Sequence, residues 1–496
     1  MKKINGLGMS DSVFWFVVIY LCALPLIGIM GRLRAREDTL KDYYLAGGLL
    51  STLPLFLTLY ATQYSGNTLF GFAGNAYRTG PVVLFTALGM MSVVFFYLAF
   101  GKTLNTLAKA RDFITPADYL RHRFGNSGAA AALVLLLNLI LIFGLASYAL
   151  TNFKAVGLLA EQLSNGAVSA AVGIFGLALI MAFYESMGGL RSVVWTDMLQ
   201  GSLLLAGCLG ISLCVLAEFG GFAPLLAQLS DNPAPGWQPM DGAQWRQGVS
   251  LVVLFGTAIA VYPHAIQRIY AARDWPSLRN SFRLMAAMPF ITTLPVVLSA
   301  LAATLLIPGL SGREADQIMP RLVSYLAMTT PALELFFALF MAAAMAAIMS
   351  TLDSAMLSLG SIFTHDILRP RLPAFSEDKL TRTGRGLSWA LMLAMAALAL
   401  ILPQDIWSLL LIKLDLLSQA FPAFALGVLM PQLSARALLA GLVSGCATAM
   451  ALRYGLVPVD MGGLHFGVVG LAVNLSVITL AHRGEKRKAQ AAIDLS

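Results

Sequence analysis

The segment 346–354 places one carboxylate and three hydroxyls within a long apolar stretch of the chain. At about 100° per residue on a helix, four of its residues share one face within an arc of about 100°: Ala347, Ser350, Thr351 and Ser354. Asp353 lies about 60° beyond Ser350 on the same polar stripe. Hydroxyl and carboxylate oxygens are ligands for Na⁺ or a proton, whereas a transition metal prefers softer donors. We therefore expect a cation at this face and no transition metal.

The surroundings of this segment make a charged side chain expensive. The 496-residue chain is 58% hydrophobic and only 12% charged, against about 25% charged in soluble proteins. Apolar runs of about 20 residues recur along it, and each can cross about 30 Å of hydrocarbon. At that depth a carboxylate costs about 2.5–3.5 kcal/mol, which makes it a candidate functional group. The composition predicts an all-α polytopic membrane protein embedded in the lipid bilayer.

The apolar runs predict about 13 transmembrane helices. They lie near residues 12–31, 49–76, 81–103, 127–153, 166–184, 192–217, 247–265, 284–308, 332–360, 386–402, 406–428, 437–452 and 465–481. The four cysteines fall inside these runs without paired spacing, so neither a disulfide framework nor a metal site is indicated.

The basic residues are distributed unevenly between the two sides. With the N-terminus outside, about three quarters of the Lys and Arg residues, Arg191 and Arg268 among them, fall on the inner side, as the positive-inside rule describes. Lys413 is left within a span. This distribution accounts for the net charge of +8 without a nucleic-acid partner. The first apolar run has no small-residue cleavage site after it, so we expect a retained helix. The predicted location is the plasma (inner) membrane, multi-pass, with a cytoplasmic C-terminus.

Two spans contain residues that interrupt a helix. Residues 61–68 read ATQYSGNT, and residues 256–264 read GTAIAVYPH, with Pro263 removing a backbone donor. Such breaks occur where backbone lines a cavity or an ion site. Small and polar residues also permit close helix packing, which is the alternative. The breaks lie in the first helices of two units of five helices each, 49–217 and 247–428.

Five motifs in consistent order resemble the sodium:solute symporter family. They are DYYLAGG at 42–48, AYRTG at 76–80, GGLRSVVWTDMLQ at 188–200, PHAIQR at 263–268, which is similar to the pantothenate and monocarboxylate branch, and MAAIMST at 345–351 followed by Ser354. The resemblance implies a LeuT-like 5+5 inverted repeat. An extra helix and inner loop (1–48) would precede the repeats 49–217 and 247–428, and two helices and a basic cytoplasmic tail (429–496) would follow.

The same resemblance implies a Na⁺-coupled secondary active symporter that imports a small organic solute by alternating access. The branch favours a carboxylate of monocarboxylate, pantothenate or amino-acid type. The coupling ion would be Na⁺, with no organic cofactor and no obligate protein partner. In the family one Na⁺ is bound by two carbonyls of the first broken helix and three groups of the eighth core helix, here matched by Ala61, Tyr64, Ala347, Ser350 and Thr351. The alternative is that both hydroxyls bond back to their own helix.

Some family members bind a second Na⁺ at positions matched here by Asp197, Ser350, Asp353 and Ser354. Asp353 stands where other branches carry Ser or Thr. Because Thr351 and Asp353 lie about 160° apart around the helix, one ion does not reach both. We expect either a second Na⁺ or a proton at this position. Alternatively, Asp197 bonds Arg191 or a helix end.

The family's solute site lies beside the first break. Its candidate residues here are Gln63, Ser65, Asn67, Thr68, Tyr262 and Lys413. Gln63 stands where proline symporters carry an acid, so proline-type coupling does not transfer. Lys413 could pair with a carboxylate solute, but we favour a structural pair with Asp415 or another acid, although residues two apart face each other poorly. Tyr262 lines the cavity or packs.

Two other functions fit the same fold less well. A solute sensor would need a signalling domain, and none follows residue 480. An intramembrane enzyme or an ATP-driven pump would need motifs such as His-Glu-x-x-His or a nucleotide-binding loop, which the sequence lacks. An H⁺-coupled symporter is a further alternative.

Overall fold

The computed structural model describes residues 11–33, 39–126, 128–231, 240–329, 334–402, 406–456 and 461–494. Over these residues the chain is helical, with one isolated parallel bridge between Leu50 and Ala272. The predicted outer N-terminus (residues 1–10) and part of the predicted first inner loop (34–38) lie outside the described residues.

The helices are α1 Asp11–Leu33, α2 Leu40–Leu45, α3 Thr52–Gln63, α4 Ala73–Thr79, α5 Phe85–Arg111, α6 Pro116–Phe124, α7 Gly128–Leu163, α8 Ala170–Gly188, α9 Leu190–Glu218, α10 Phe222–Asp231, α11 Gly242–Ile259, α12 Pro263–Ala271, α13 Trp275–Met288, α14 Leu294–Leu306, α15 Ile318–Thr329, α16 Glu334–Ser361, α17 Glu377–Ile401, α18 Ile406–Phe421, α19 Gly427–Leu429, α20 Ala435–Arg453 and α21 Phe466–Asp494.

Eleven of the described helical segments are long and apolar enough to cross a membrane, and the bent pair α11–α12 raises the number to 12. The predicted span 49–76 is not counted as a separate span because α3 ends after 12 residues. The short helix α10 follows α9 and is not counted among the spans. The all-helical, multi-pass class is confirmed.

The first predicted break lies immediately after α3. Tyr64 is extended (φ −101°, ψ 108°), and a π-helical turn, Asn67–Phe72, leads into α4. The freed backbone groups find side-chain partners: Asn152 accepts from the Gly66 amide at 3.0 Å, and Tyr148 donates to the Thr62 carbonyl at 3.1 Å. A Cβ on Gly66 would come within 2.9 Å of the Ala155 Cβ. The close approach of α7 therefore requires glycine at the break.

The second predicted break separates α11 from α12, whose axes differ by 53°. Pro263 starts α12, where its missing donor costs nothing because the first turn of a helix has no partner for it. The hydroxyl of Tyr97 donates to the carbonyl of Ile259 at 3.2 Å, next to the break.

The two broken helices meet at the predicted inner end of the bundle. The Leu50 amide donates to the Ala271 carbonyl at 3.0 Å, and the Arg273 amide donates to the Leu50 carbonyl at 2.8 Å. At the opposite end, Arg78 in the last turn of α4 pairs with Asp316 at 2.9 Å. Both ends of the first broken helix are therefore fastened to neighbouring segments.

A second set of hydrogen bonds and ion pairs at the inner end joins α6 to the π-helical continuation of α16. Asp118 accepts from the amides of Ile114 (2.8 Å) and Thr115 (3.0 Å), and its other oxygen lies 2.9 Å from His365 Nε2. Asp118, His365 and Asp366 are the group of described side chains whose donor atoms lie close enough to hold a metal. Because Arg121 already pairs with Asp366 at 2.6 Å, the group is better described as an ion-pair network.

Candidate functional site

The polar face of α16 meets the end of α3. Ser350 donates to the Ala61 carbonyl at 2.8 Å and lies 3.2 Å from the Ala347 carbonyl. Thr351 donates to the Ala347 carbonyl at 2.9 Å and lies 3.4 Å from the Thr62 carbonyl. All of these residues are buried. Four of the five predicted Na⁺ ligands are thus brought together, and the Thr62 carbonyl joins them.

The chemistry of this group fits Na⁺. It consists of two hydroxyls and carbonyl oxygens, without sulfur or imidazole, which is the donor set that hard cations prefer. Each hydroxyl proton now points at a carbonyl oxygen, and a cation would supply that positive charge instead. The fifth predicted residue, Tyr64, is the extended residue immediately after α3. It therefore lies at the end of the helix whose last carbonyls form the group.

A buried guanidinium lies beside this group. Arg268 of α12 is 1% exposed and donates to Thr58 at 3.0 Å and to Asp197 at 3.3 Å. It also bonds Ser354, whose hydroxyl lies 2.9 Å from the Thr62 hydroxyl. The prediction that Arg268 is an inner-loop topology residue is therefore wrong.

The four residues predicted to bind a second cation lie in three different environments. Asp197 and Ser354 contact Arg268, whereas Ser350 turns toward the Ala61 and Ala347 carbonyls. Asp353 accepts a hydrogen bond from Tyr184 of α8. The alternative pairing of Asp197 with Arg191 is wrong, because Arg191 pairs with Asp42.

Lys413 lies at the centre of α18, and its ammonium has no hydrogen-bond partner among the described residues. It is fully buried and sits 3.9 Å from the ring centroid of Tyr148 and 5.3 Å from that of Tyr262. His264 stacks on Tyr148 with its ring centroid at 5.6 Å. Aromatic faces attract a cation, but they do not neutralise its charge.

The favoured pairing of Lys413 with Asp415 is wrong. Asp415 accepts from Arg453 Nε at 2.5 Å and from the Gly467 amide at 2.9 Å. These partners belong to α20 and the start of α21, on the other side of α18. Residues two apart on a helix point in different directions, and here they reach different helices.

A small cavity of ≈ 10 Å³ lies between the two breaks. Its lining residues come from α3, α5, α11 and α12, and they include Gln63, Tyr262, His264 and Arg268. This volume holds about one water molecule, so a solute enters only if the walls separate.

Of the predicted solute residues, Gln63 and Tyr262 line this cavity. The amide nitrogen of Gln63 and both side-chain polar atoms of Asn67 are buried without a partner among the described residues. Ser65 accepts from the Asn67 amide at 3.1 Å, and the Thr68 amide bonds the Ser65 carbonyl at 2.9 Å. Ser65 and Thr68 therefore participate in the hydrogen bonds that shape the break.

Three residues at the site were not predicted: Tyr148, His264 and Arg268. His264 and Arg268 belong to the PHAIQR motif. They are four residues apart and therefore lie on one face of a helix, and this spacing could have indicated that they act together at one site. Tyr148 lies in a long apolar run, and nothing in its neighbours distinguishes it from a packing residue.

The model of the sodium:solute symporter family matches residues 43–445. Sodium/myo-inositol cotransporter 2 of Oryctolagus cuniculus is 26% identical over 400 residues, which are 74% of this chain and 58% of that protein, so this chain spans less than two thirds of its length. Sodium-coupled monocarboxylate transporter 1 of Homo sapiens is 24% identical over 472 residues (90% and 74%). The sodium/pantothenate symporter of Haemophilus influenzae is 25% identical over 378 residues (75% and 75%).

Among solved structures, the substrate-bound outward-open state of a Na⁺-coupled sialic acid symporter superposes with a TM-score of 0.76 at 19% identity. The match covers 96% of this chain and 98% of that chain. At this identity the likeness concerns the fold, and it confirms the expected LeuT-like class.

Proposed function

Because the chain belongs to the sodium:solute symporter family, we propose that it imports a small organic carboxylate together with Na⁺ by alternating access. The observation that carries the carboxylate is Lys413, a buried ammonium with no hydrogen-bond partner among the described residues. A buried charge is costly unless it is paired. A solute of monocarboxylate, pantothenate or amino-acid type would supply the missing negative charge.

Na⁺ in this proposal is bound by the carbonyls of Ala61, Tyr64 and Ala347 and the hydroxyls of Ser350 and Thr351. The existing contacts between α3 and α16 support this assignment, since Ser350 already reaches Ala61 at 2.8 Å. An ion that needs both helices stabilises the state in which they are together. Such a differential affinity is what couples ion binding to a conformational equilibrium.

Tyr148 provides a physical link between the ion and the solute. Its hydroxyl donates to the Thr62 carbonyl at 3.1 Å, and its ring lies 3.9 Å from the Lys413 ammonium. Thr351 contacts the same Thr62 carbonyl. Binding of Na⁺ would therefore fix the position of the Tyr148 hydroxyl. The face of the same Tyr148 ring contacts Lys413, the proposed anchor of the carboxylate.

The rest of the solute would contact the first break and the second. The unpaired amides of Gln63 and Asn67 are suited to the polar groups of the solute, and Tyr262 forms a wall of the cavity. Ser65 and Thr68 complete the proposed solute site through the backbone of the break. Since the cavity is only ≈ 10 Å³, entry requires α3 and α12 to separate.

We further propose that Asp197, Ser350, Asp353 and Ser354 bind a second cation, either Na⁺ or H⁺. The fully buried acids Asp197 and Asp353 support it. Arg268 now bonds both Asp197 and Ser354. Because like charges repel at this depth, Arg268 would have to withdraw with α12 before a metal cation could bind there.

In the proposed topology the protein lies in the plasma (inner) membrane with its N-terminus outside and its C-terminus in the cytoplasm. The proposal involves no organic cofactor and no protein partner.

A stability screen of the purified protein tests the proposed function. Thermal unfolding is measured in NaCl and in choline chloride with lactate, pantothenate, proline and myo-inositol as probes. We expect at least one carboxylate to raise the unfolding temperature in NaCl and to do so much less in choline chloride, because a bound ligand stabilises by mass action.

The methyl ester or amide of the active compound is the matched control, because it keeps the shape and removes the charge. It should not stabilise the protein. Equal stabilisation by myo-inositol, or by the carboxylate in both salts, would contradict the proposal. Uptake of the active compound into proteoliposomes with an imposed Na⁺ gradient then measures transport itself.

A further inference from the structure

His264 lines the closed cavity and has no role in the transport proposal so far. It is the second residue of α12, directly after Pro263 at the break, and it is 2% exposed. Gln63 and Arg268 line the same cavity. The Nδ1 atom of His264 has no hydrogen-bond partner among the described residues. Buried polar groups normally have partners, so this nitrogen is available to a bound solute.

Two tyrosine rings connect His264 to Lys413. The His264 ring stacks on Tyr148 with the centroids 5.6 Å apart, and it meets Tyr262 edge-on at 5.1 Å. Lys413 Nζ lies over the same two rings, 3.9 Å and 5.3 Å from their centroids. The proposed carboxylate anchor and the unpaired imidazole nitrogen are therefore held by the same pair of tyrosines, where one small solute can reach both.

The chemistry of the imidazole indicates which group of the solute it would bind. A neutral imidazole has one nitrogen that donates a hydrogen bond and one that accepts. A hydroxyl also donates and accepts, so it can bond to His264 whichever ring nitrogen carries the proton. The amide nitrogen of Gln63, which has no partner among the described residues, supplies a further donor at the same cavity.

The charges around the cavity argue against a solute with an ammonium group. The described residues that line it include no Asp or Glu. The buried Asp197 is already bonded to Arg268 at 3.3 Å and to Thr58. An amino acid would therefore place its ammonium beside two buried cations, Lys413 and Arg268. Like charges repel strongly at this depth, and an unpaired buried charge is costly.

We propose that His264 determines the specificity of the site by hydrogen-bonding a hydroxyl of the solute while Lys413 pairs with the solute's carboxylate. The solute is then a small hydroxycarboxylate, and both amino acids and unsubstituted acids bind less well. This inference rests on the proposed function and narrows its substrate class.

Two matched sets of acids test the inference by thermal-unfolding titration of the purified protein in NaCl. Lactate, propionate and alanine carry a hydroxyl, a hydrogen and an ammonium on the same carbon. The compounds 3-hydroxybutyrate, butyrate and 3-aminobutyrate repeat the comparison one carbon further from the carboxylate. In at least one set the hydroxy acid should bind about 5- to 10-fold more tightly than the unsubstituted acid, which corresponds to one hydrogen bond. The amino acids should not stabilise the protein.

The variant His264→Phe distinguishes a solute contact from a structural residue. Phenylalanine keeps a ring on Tyr148 and removes both nitrogens, so the preference for the hydroxy acid should disappear while the unsubstituted acid keeps its affinity. A residue that only supports the fold would change both affinities by the same factor. His264→Gln keeps a donor and an acceptor, should retain part of the preference, and replaces the first variant if that does not fold. His122→Phe, the same change at an exposed histidine of α6, is the control.

Equal affinity for hydroxy and unsubstituted acids in both sets, stabilisation by an amino acid, or a preference that survives in His264→Phe would overturn the inference. In each of these cases a carboxylate still binds in NaCl, so the proposed function stands. If pantothenate alone binds, its affinity in His264→Phe replaces the comparison, and an unchanged value overturns the inference. If no carboxylate stabilises the protein in NaCl, pantothenate and proline included, the proposed function fails and the inference fails with it.

Discussion

Replacement of Lys413 by methionine separates a solute anchor from a structural residue. If Lys413 binds the carboxylate, then Lys413→Met removes one partner of a buried charge pair, which costs about 2–5 kcal/mol. That loss corresponds to a solute affinity about 30- to 5,000-fold weaker. The methionine keeps a similar length and fits between the rings of Tyr148 and Tyr262.

Although Lys413→Met should weaken solute binding, it should not lower the stability of the solute-free protein. Without solute, the ammonium has only aromatic faces 3.9 and 5.3 Å away, and cation–π contacts contribute about 2 kcal/mol when desolvated. Burial of an ion costs several kcal/mol. The free energy of unfolding of the solute-free variant should therefore stay constant or rise.

Thermal unfolding and solute titration of the same preparation measure both quantities. Arg453→Met is the matched control, because it also removes a cation but leaves Asp415 buried without its partner. We expect that control to lower stability by about 3–5 kcal/mol with a much smaller direct effect on affinity. A loss of stability in Lys413→Met comparable to that of Arg453→Met, with unchanged solute affinity, would refute the assignment.

Three further predictions concern the surroundings of the site. Arg268→Met should destabilise the protein by about 3–5 kcal/mol because Asp197 loses its partner, and Asp197→Asn in the same chain should restore part of the loss on thermal unfolding. Burial raises the pKa of Asp118, but the His365 contact and backbone amides outweigh burial and lower it overall. Ionised Asp118 therefore stabilises the folded protein above the pKa that this group has in the unfolded chain, and this stabilisation is lost as the pH falls through its pKa in the folded protein. In Asp118→Asn, the free energy of unfolding should depend less on pH over this acidic range. Gly66→Ala should lower stability by about 1–3 kcal/mol through overpacking, and an unchanged unfolding temperature would count against the tight approach of α7 at the break.

The parts of the site that were predictable lie on single helices. Helical periodicity alone places Ala347, Ser350 and Thr351 on one face, and Gly66 and Pro263 mark the breaks because both residues act on the backbone directly. These features need no knowledge of which helix packs against which.

The parts that could not be predicted depend on packing between distant segments. Asp415 finds Arg453, 38 residues away, so local spacing wrongly favoured Lys413. The sequence placed Arg268 in an inner loop because charged residues are usually exposed. In the structure it is buried, because α12 folds back between α3 and α16.

The most direct test of the central claim is the Na⁺ dependence of the double variant Ser350→Ala/Thr351→Val. The stability of the purified protein is measured across a series of Na⁺ concentrations at constant ionic strength. Ser476→Ala is the control, because this exposed hydroxyl bonds only its own helix at 2.8 Å. Loss of two oxygen ligands, at about 1–1.5 kcal/mol each, should weaken the apparent Na⁺ affinity about 30- to 150-fold. A Na⁺ dependence equal to that of the wild type would contradict the proposed ion site.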